Sequence, residues 1–219
     1  MKRYMMLACE LIEDEVHAIM ERHELNYPIL FLPPDLHLLP KKLNEYLQDI
    51  INRIQNVDYL ILPMGRCGNG TLGLKSDHAT LILPKCEDCV NLLLSKDSLK
   101  VNRPKYSMFF TDGWLRNGAS ANHEYERVVE QYGQERANMV MEMMYAGYKY
   151  FSLIDTGAYD KDMARKKLAP LVDTLGTIEV NELPGPYGIL EKMLTLDFDE
   201  ENFVMIPPGV AVTEQHFES

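Results

Sequence analysis

Four cysteines and one histidine carry the most distinctive chemistry in the chain, because each follows an apolar run of strand-like length. Cys9 comes after Met5-Met6-Leu7-Ala8, and Cys67 after Tyr59-Leu60-Ile61-Leu62. Cys86 and Cys89 come after Thr80-Leu81-Ile82-Leu83, and His37 after Pro28-Ile29-Leu30-Phe31-Leu32. In open α/β sheets the carboxyl ends of the strands form the crevice where ligands bind. Soft thiolates and a borderline imidazole brought to such an edge suit zinc or an iron–sulfur cluster. The competing readings are a small buried hydrophobe for a single cysteine and a solvated loop residue for His37.

Cys86-Glu87-Asp88-Cys89 is a two-thiol chelate, and it would be redox-active if its first thiolate were stabilised at a helix N-terminus. A zinc ribbon needs a second such pair, and the chain has none. A metal must therefore recruit Cys9, Cys67 or His37 from distant strands, which suits a catalytic or cluster site set in a preformed fold. The metal-ligand candidates are thus Cys9, Cys67, Cys86, Cys89 and His37. Cys67 also opens the loop Cys67-Gly68-Asn69-Gly70-Thr71-Leu72-Gly73, which resembles a phosphate cradle because glycines let backbone N–H groups approach an anion. It is neither the dinucleotide fingerprint nor a P-loop, and a tight turn explains the glycines as well. Gly68, Asn69, Gly70 and Thr71 are its ligand-binding candidates. Asp155-Thr156-Gly157 also ends an apolar run. Asp155 could bind a ribose, orient a histidine or coordinate a hard cation, and turn chemistry explains the motif equally. No catalytic residue is assigned.

The elements that must position these residues alternate. Strands are expected at 2–8, 27–32, 57–62, 78–83, 106–110, 148–154, 177–180 and 203–206. Helices are expected at 11–23, 39–54, 89–94, 122–146, 161–175 and 188–194. Thr111-Asp112-Gly113-Trp114 reads as a turn. Alternation of this kind predicts an α/β fold, a mostly parallel sheet flanked by helices in Rossmann-like layers. No linker or repeat interrupts it, so one domain over residues 1–219 is expected, with the last eight or so residues fraying.

A chain of 219 residues with 46% hydrophobic and 25% charged residues is ordinary for a folded protein. Its formal net charge of −11 disfavours nucleic acid and anionic lipid as partners. No apolar run approaches the roughly 18 residues of a spanning helix, and acids stand at 10 and 13–15 where a signal peptide would be apolar. The chain is therefore read as cytoplasmic, where thiols stay reduced and serve metals or catalysis more often than disulfides. Thirteen methionines, four of them at 139, 141, 143 and 144, read as core filler or as an adaptable docking face.

The order of these motifs resembles a known family. Ala8-Cys9-Glu10, Leu36-His37, Gly65-x-Cys67-Gly68-Asn69-Gly70-Thr71-x-Gly73-Leu74, Pro84-Lys85-Cys86-x-Asp88-Cys89, Gly113-Trp114 and Asp155-Thr156-Gly157 look like the uncharacterised family called domain of unknown function 1638. The loop around Cys67 and the Asp88-Cys89 step are its most specific parts. Arginine and histidine are expected where this chain has Lys85 and Glu87. Members are often found beside corrinoid-dependent methyltransferase systems of anaerobic one-carbon metabolism. The resemblance implies a shared site at Cys9, His37, Cys67 and Cys89, with Cys86 a further candidate and Asp88 a ligand-binding one. It also implies a link to methyl transfer or to a corrinoid carried by a partner. Three functions are open at this point. One is a zinc or iron–sulfur protein acting on a small molecule or a corrinoid protein. Another is a non-enzymatic partner or chaperone of a corrinoid methyltransferase, and the third is a metal-free cysteine-dependent transferase. A homo-oligomer is compatible with each.

Overall fold

A computed structural model of the chain describes residues 2–117 and 121–218, and of His37 it describes the backbone. The fold is α/β and mostly parallel, as expected, but its strands divide between two sheets in two compact units. The first unit comprises residues 1–101 and 186–219, and the second residues 102–185.

In the first unit, β1 (Tyr4–Cys9), β2 (Ile29–Leu32), β3 (Tyr59–Ile61), β4 (Thr80–Pro84) and β8 (Phe203–Ile206) form a sheet of order β2-β1-β3-β4-β8. All pairs are parallel except β4 with β8. Met6, Leu7 and Ala8 in β1 are fully buried, the continuous apolar run of a strand covered on both faces. One face packs on α2 (Pro40–Arg53), whose Leu43, Leu47 and Ile51 recur at helical spacing and join Leu7, Leu60, Leu62 and Leu81 in one core. Elsewhere in this unit α8 (Gly188–Leu194) packs against α1 (Glu13–Arg22) and α3 (Cys89–Leu94). The strand order makes β1/β3 the point where the chain reverses direction across the sheet, the switch point at which such sheets bind ligands.

The second unit holds a parallel sheet of order β5-β6-β7, formed by Ser107–Phe110, Tyr150–Asp155 and Glu179–Pro184. Its core is Phe110, Phe151 and Leu153 against Val128, Ala137, Met141, Leu168 and Leu171. Two local expectations are corrected here. The single helix expected over 122–146 is two, α5 (Ala121–Tyr132) and α6 (Gln134–Tyr145), because Gly133 takes φ +83° and ends the first. The turn at 111–114 continues instead into the short helix α4 (Asp112–Arg116). Helix α7 (Lys161–Leu175) runs as expected, capped by Asp160 and tolerating Pro170.

The C-terminal segment, expected to fray, is engaged with the first unit. Lys75 bridges Ala211, and Gly73 N donates to Val212 O at 2.8 Å. His216, which reads in the sequence as a bland tail residue, accepts from Thr213 N at 2.9 Å and closes the turn Glu214–Phe217. Among the described residues, no helix is long and apolar enough to cross a membrane.

Candidate functional site

All four cysteines lie at the carboxyl edge of the five-stranded sheet. Cys9 is the last residue of β1, Cys67 lies in the loop after β3, and Cys86 and Cys89 follow β4. Cys9 and the Cys67 loop therefore flank the β1/β3 switch point. Backbone contacts lock two of the three cysteine-bearing segments together. Arg66 N donates to Cys86 O at 2.9 Å, and Cys67 N donates to Glu87 O at 2.8 Å. Gly65 makes the approach possible, since a Cβ there would stand 2.1 Å from Cys86 O and 2.9 Å from Asp88 N.

The loop beyond Cys67 is built on α2. Cys67, Gly68 and Asn69 have φ of +45°, +64° and +73°, a left-handed turn closed by Gly70 N donating to Cys67 O at 3.1 Å. A side chain at Gly70 would meet Leu43 Cδ2 at 2.9 Å. Asn44 Nδ2 donates to Gly70 O at 3.0 Å and to Leu72 O at 2.8 Å, while the buried Thr71 hydroxyl donates to Gly65 O at 3.0 Å. The N–H groups of Cys67, Gly70, Thr71, Leu72, Gly73 and Leu74 all donate to backbone carbonyls. Those six amides are committed internally, and they hold the loop as a mount for Cys67. Cys67 is a non-glycine in the left-handed region, a conformation that costs of order 1–2 kcal/mol.

Asp88 serves the local structure. Its Oδ1 accepts from Val90 N at 2.9 Å and caps α3, which places Cys89 in the first turn. Arg66 gives no signal in the sequence, since an arginine next to a cysteine has no special spacing. Its guanidinium ties the loop to the tail, reaching Asn69 Oδ1 at 2.8 Å, Glu214 at 3.0 Å and Glu87 at 3.6 Å. Glu15 resembles an ordinary first-turn surface acid in the sequence, yet it is buried six residues after Cys9.

The thiols are close enough to act on one another electrostatically. Burial pushes the Cys9 thiol up to about 11, with the Glu10 charge adding to the rise and a hydrogen bond with the backbone of Leu11 opposing it. Burial, with Cys9 and Asp88, pushes Cys67 up to about 12. Cys89 is raised by burial first and then by Cys67, Cys9, Asp88 and Cys86. Burial and these neighbours outweigh any help Cys89 draws from its place in the first turn of a helix. The Cys86 thiol donates to Asp88 O at 3.4 Å. Three segments therefore gather four thiols, that of Cys86 buried and the other three half-buried. Among the described residues, no group of three or more His, Cys, Asp or Glu side chains is placed to hold a metal ion.

These shifts set an alkaline limit. Unfolded thiols ionise near 9.0 and the folded ones only toward 11 or 12, so the folded chain binds more protons in between. Stability of the metal-free protein is full below about pH 9 and falls by about 1.4 kcal/mol per pH unit per thiol as pH rises toward 11. Urea midpoints measured on either side of pH 9, in parent and Cys9→Ser proteins, check this. The variant should show the shallower fall.

The other expected site residues lie on segments that carry no cysteine. Asp155 ends β6 in the second unit, where it accepts from Lys161 Nζ at 2.7 Å within a group that includes Glu182 and Arg165. His37 lies in the turn Pro34–Leu38 beyond β2, and its side chain is outside the described residues. Of the four clustered methionines, Met141 is fully buried, whereas Met139, Met143 and Met144 are exposed on α6.

Fold and site together define an α/β protein whose sheet carries a thiol cluster at its switch point. Residues 31–194 match the family described as protein of unknown function (DUF1638), and the chain belongs to that family. No curated protein and no solved structure matches the chain.

Proposed function

We propose that Cys9, Cys67, Cys86 and Cys89 bind one thiophilic metal centre, a zinc ion or an iron–sulfur cluster, with His37 as a substitute or outer ligand. The observation that carries this reading is the backbone clamp that holds the Cys67 loop against the Cys86–Cys89 loop, beside the strand end that presents Cys9. The donor set fits such a centre: four thiols match the ligand preferences of zinc and of iron–sulfur clusters and not those of magnesium or calcium. A cation among the thiols would also reverse the repulsion that opposes their ionisation. A metal-free thiol nucleophile is supported less well, because activated cysteines sit where the thiolate is favoured.

The proposed setting is corrinoid-dependent methyl metabolism, with the corrinoid on a partner or a small methylated molecule as substrate. When bound, zinc would supply a Lewis acid that makes a thiol acceptor nucleophilic, and a cluster would supply an electron to an oxidised cobalt centre. The chain's own contribution is to hold the four sulfur atoms on rigid mounts and to keep them largely out of water. Metal and acid-labile sulfide analysis of protein purified without oxygen tests the proposal. Roughly one zinc per chain without colour, or iron with sulfide and broad visible absorbance, is expected for thiolate-bound centres. Protein that takes up neither metal, even on reconstitution, would refute it.

A second reading is a non-enzymatic partner that docks a corrinoid protein. It draws on Met139, Met143 and Met144, which are 59%, 79% and 51% exposed on one helix. On that reading Met143→Glu would weaken the association with a corrinoid protein and leave metal content unchanged.

A further inference from the structure

Far from the cysteines in sequence, the second unit carries a cleft whose charge runs against that of the whole chain. Its volume is about 410 Å³, and Arg116, His123, Lys166 and Lys167 line it together with a single carboxylate, Glu126. Arg116 ends α4, His123 lies in the first turn of α5, and the two lysines lie on α7. Three permanent cations gather here in a protein of formal net charge −11.

The cations are held in place. The Asp112 side chain, 11% exposed, accepts from Arg116 at 2.6 Å through one carboxylate oxygen and from Lys167 at 2.5 Å through the other. One buried carboxylate thus fixes two cationic heads side by side. Lys166 is exposed and makes no ion pair among the described residues. His123 is oriented as well, with Nδ1 2.7 Å from Asn117 O, so that Nδ1–H donates to the carbonyl and Nε2 is turned to the other edge of the ring. The first turn of the 12-residue helix α5 opens beside them, and its dipole adds positive potential. Leu115 and Pro170 supply apolar wall.

We propose that this cleft binds a small organic phosphate. Guanidinium and ammonium groups held by a shared carboxylate present fixed positive charge to phosphate oxygens. The cleft is larger than a bare phosphate needs and falls in the usual range for small-molecule sites, so the apolar wall receives the organic part of the ligand. Asp112 is a positioning residue that sets the two heads without touching the ligand.

Calorimetric titration of the full chain tests this. The probes are ribose 5-phosphate, ribose, inorganic phosphate and succinate, with the parent protein and the Lys166→Glu variant. Lys166 is exposed, so its replacement leaves the fold intact. Saturable binding of ribose 5-phosphate at one site is expected, with inorganic phosphate weaker and ribose silent. Lys166→Glu should weaken ribose 5-phosphate at least tenfold. Failure of ribose 5-phosphate to saturate, tighter binding of succinate, or indifference to Lys166→Glu would each overturn the proposal. The outcome is separate from the metal reading, since metal content in Lys166→Glu should equal that of the parent.

Discussion

Replacing Cys67 by glycine is expected to leave the protein folded and to empty its metal site. The position has φ +45°, where glycine is at ease and cysteine is strained. Relief of that cost offsets the packing that the thiol loses against the core, so stability should change by no more than about 1 kcal/mol. Metal content should fall to a small fraction of the parent's. A protein selected for stability alone would gain nothing from a strained cysteine here, and strained residues of this kind cluster at functional sites. Urea denaturation and metal analysis on the same preparation check both halves. Unchanged metal content with an unchanged fold would remove Cys67 from the site.

Gly65→Ala is expected to do the reverse and damage the mount while sparing every thiol. The added methyl group would lie 2.1 Å from Cys86 O, an atom of the backbone that cannot rotate away. The two cysteine loops must separate, which breaks the hydrogen bonds from Arg66 N and Cys67 N. We expect a loss of about 3 kcal/mol and weak or absent metal binding. Gly188→Ala serves as the control. Its methyl group would meet Lys96 O at 2.0 Å and cause a comparable loss of stability, at the start of α8, which carries no cysteine. Metal binding that survives Gly188→Ala and fails in Gly65→Ala assigns the effect to the clamp and not to general destabilisation.

Much of this site could be read from the residues alone, because a cysteine after an apolar run is a local signal. The strands leading to Cys9 and Cys86 end one residue beyond the expected ends, and helices 89–94, 161–175 and 188–194 match residue for residue. Other features depended on partners distant in sequence. Nothing at Gly65 announces that its hydrogen faces a carbonyl 21 residues away. Most amides of the Cys67 loop are satisfied by carbonyls that only the folded loop and tail supply, so its glycines looked free to cradle an anion. Helical periodicity ran across Gly133 unbroken, and only the backbone angle reveals the interruption. Nothing in the sequence around residue 102 marks a change of sheet. Which strands pair is settled by tertiary contacts, and so Asp155, at a strand end like the cysteines, belongs to a different sheet. The cation cluster was hidden for a similar reason, since Arg116 and Lys167 lie 51 residues apart and meet through Asp112.

X-ray absorption at the metal edge of protein loaded with zinc or iron under anaerobic conditions tests the central claim most directly. Four thiols turned toward one centre predict a first shell of three or four sulfur atoms, at about 2.3 Å for zinc. A first shell made only of oxygen and nitrogen would contradict it.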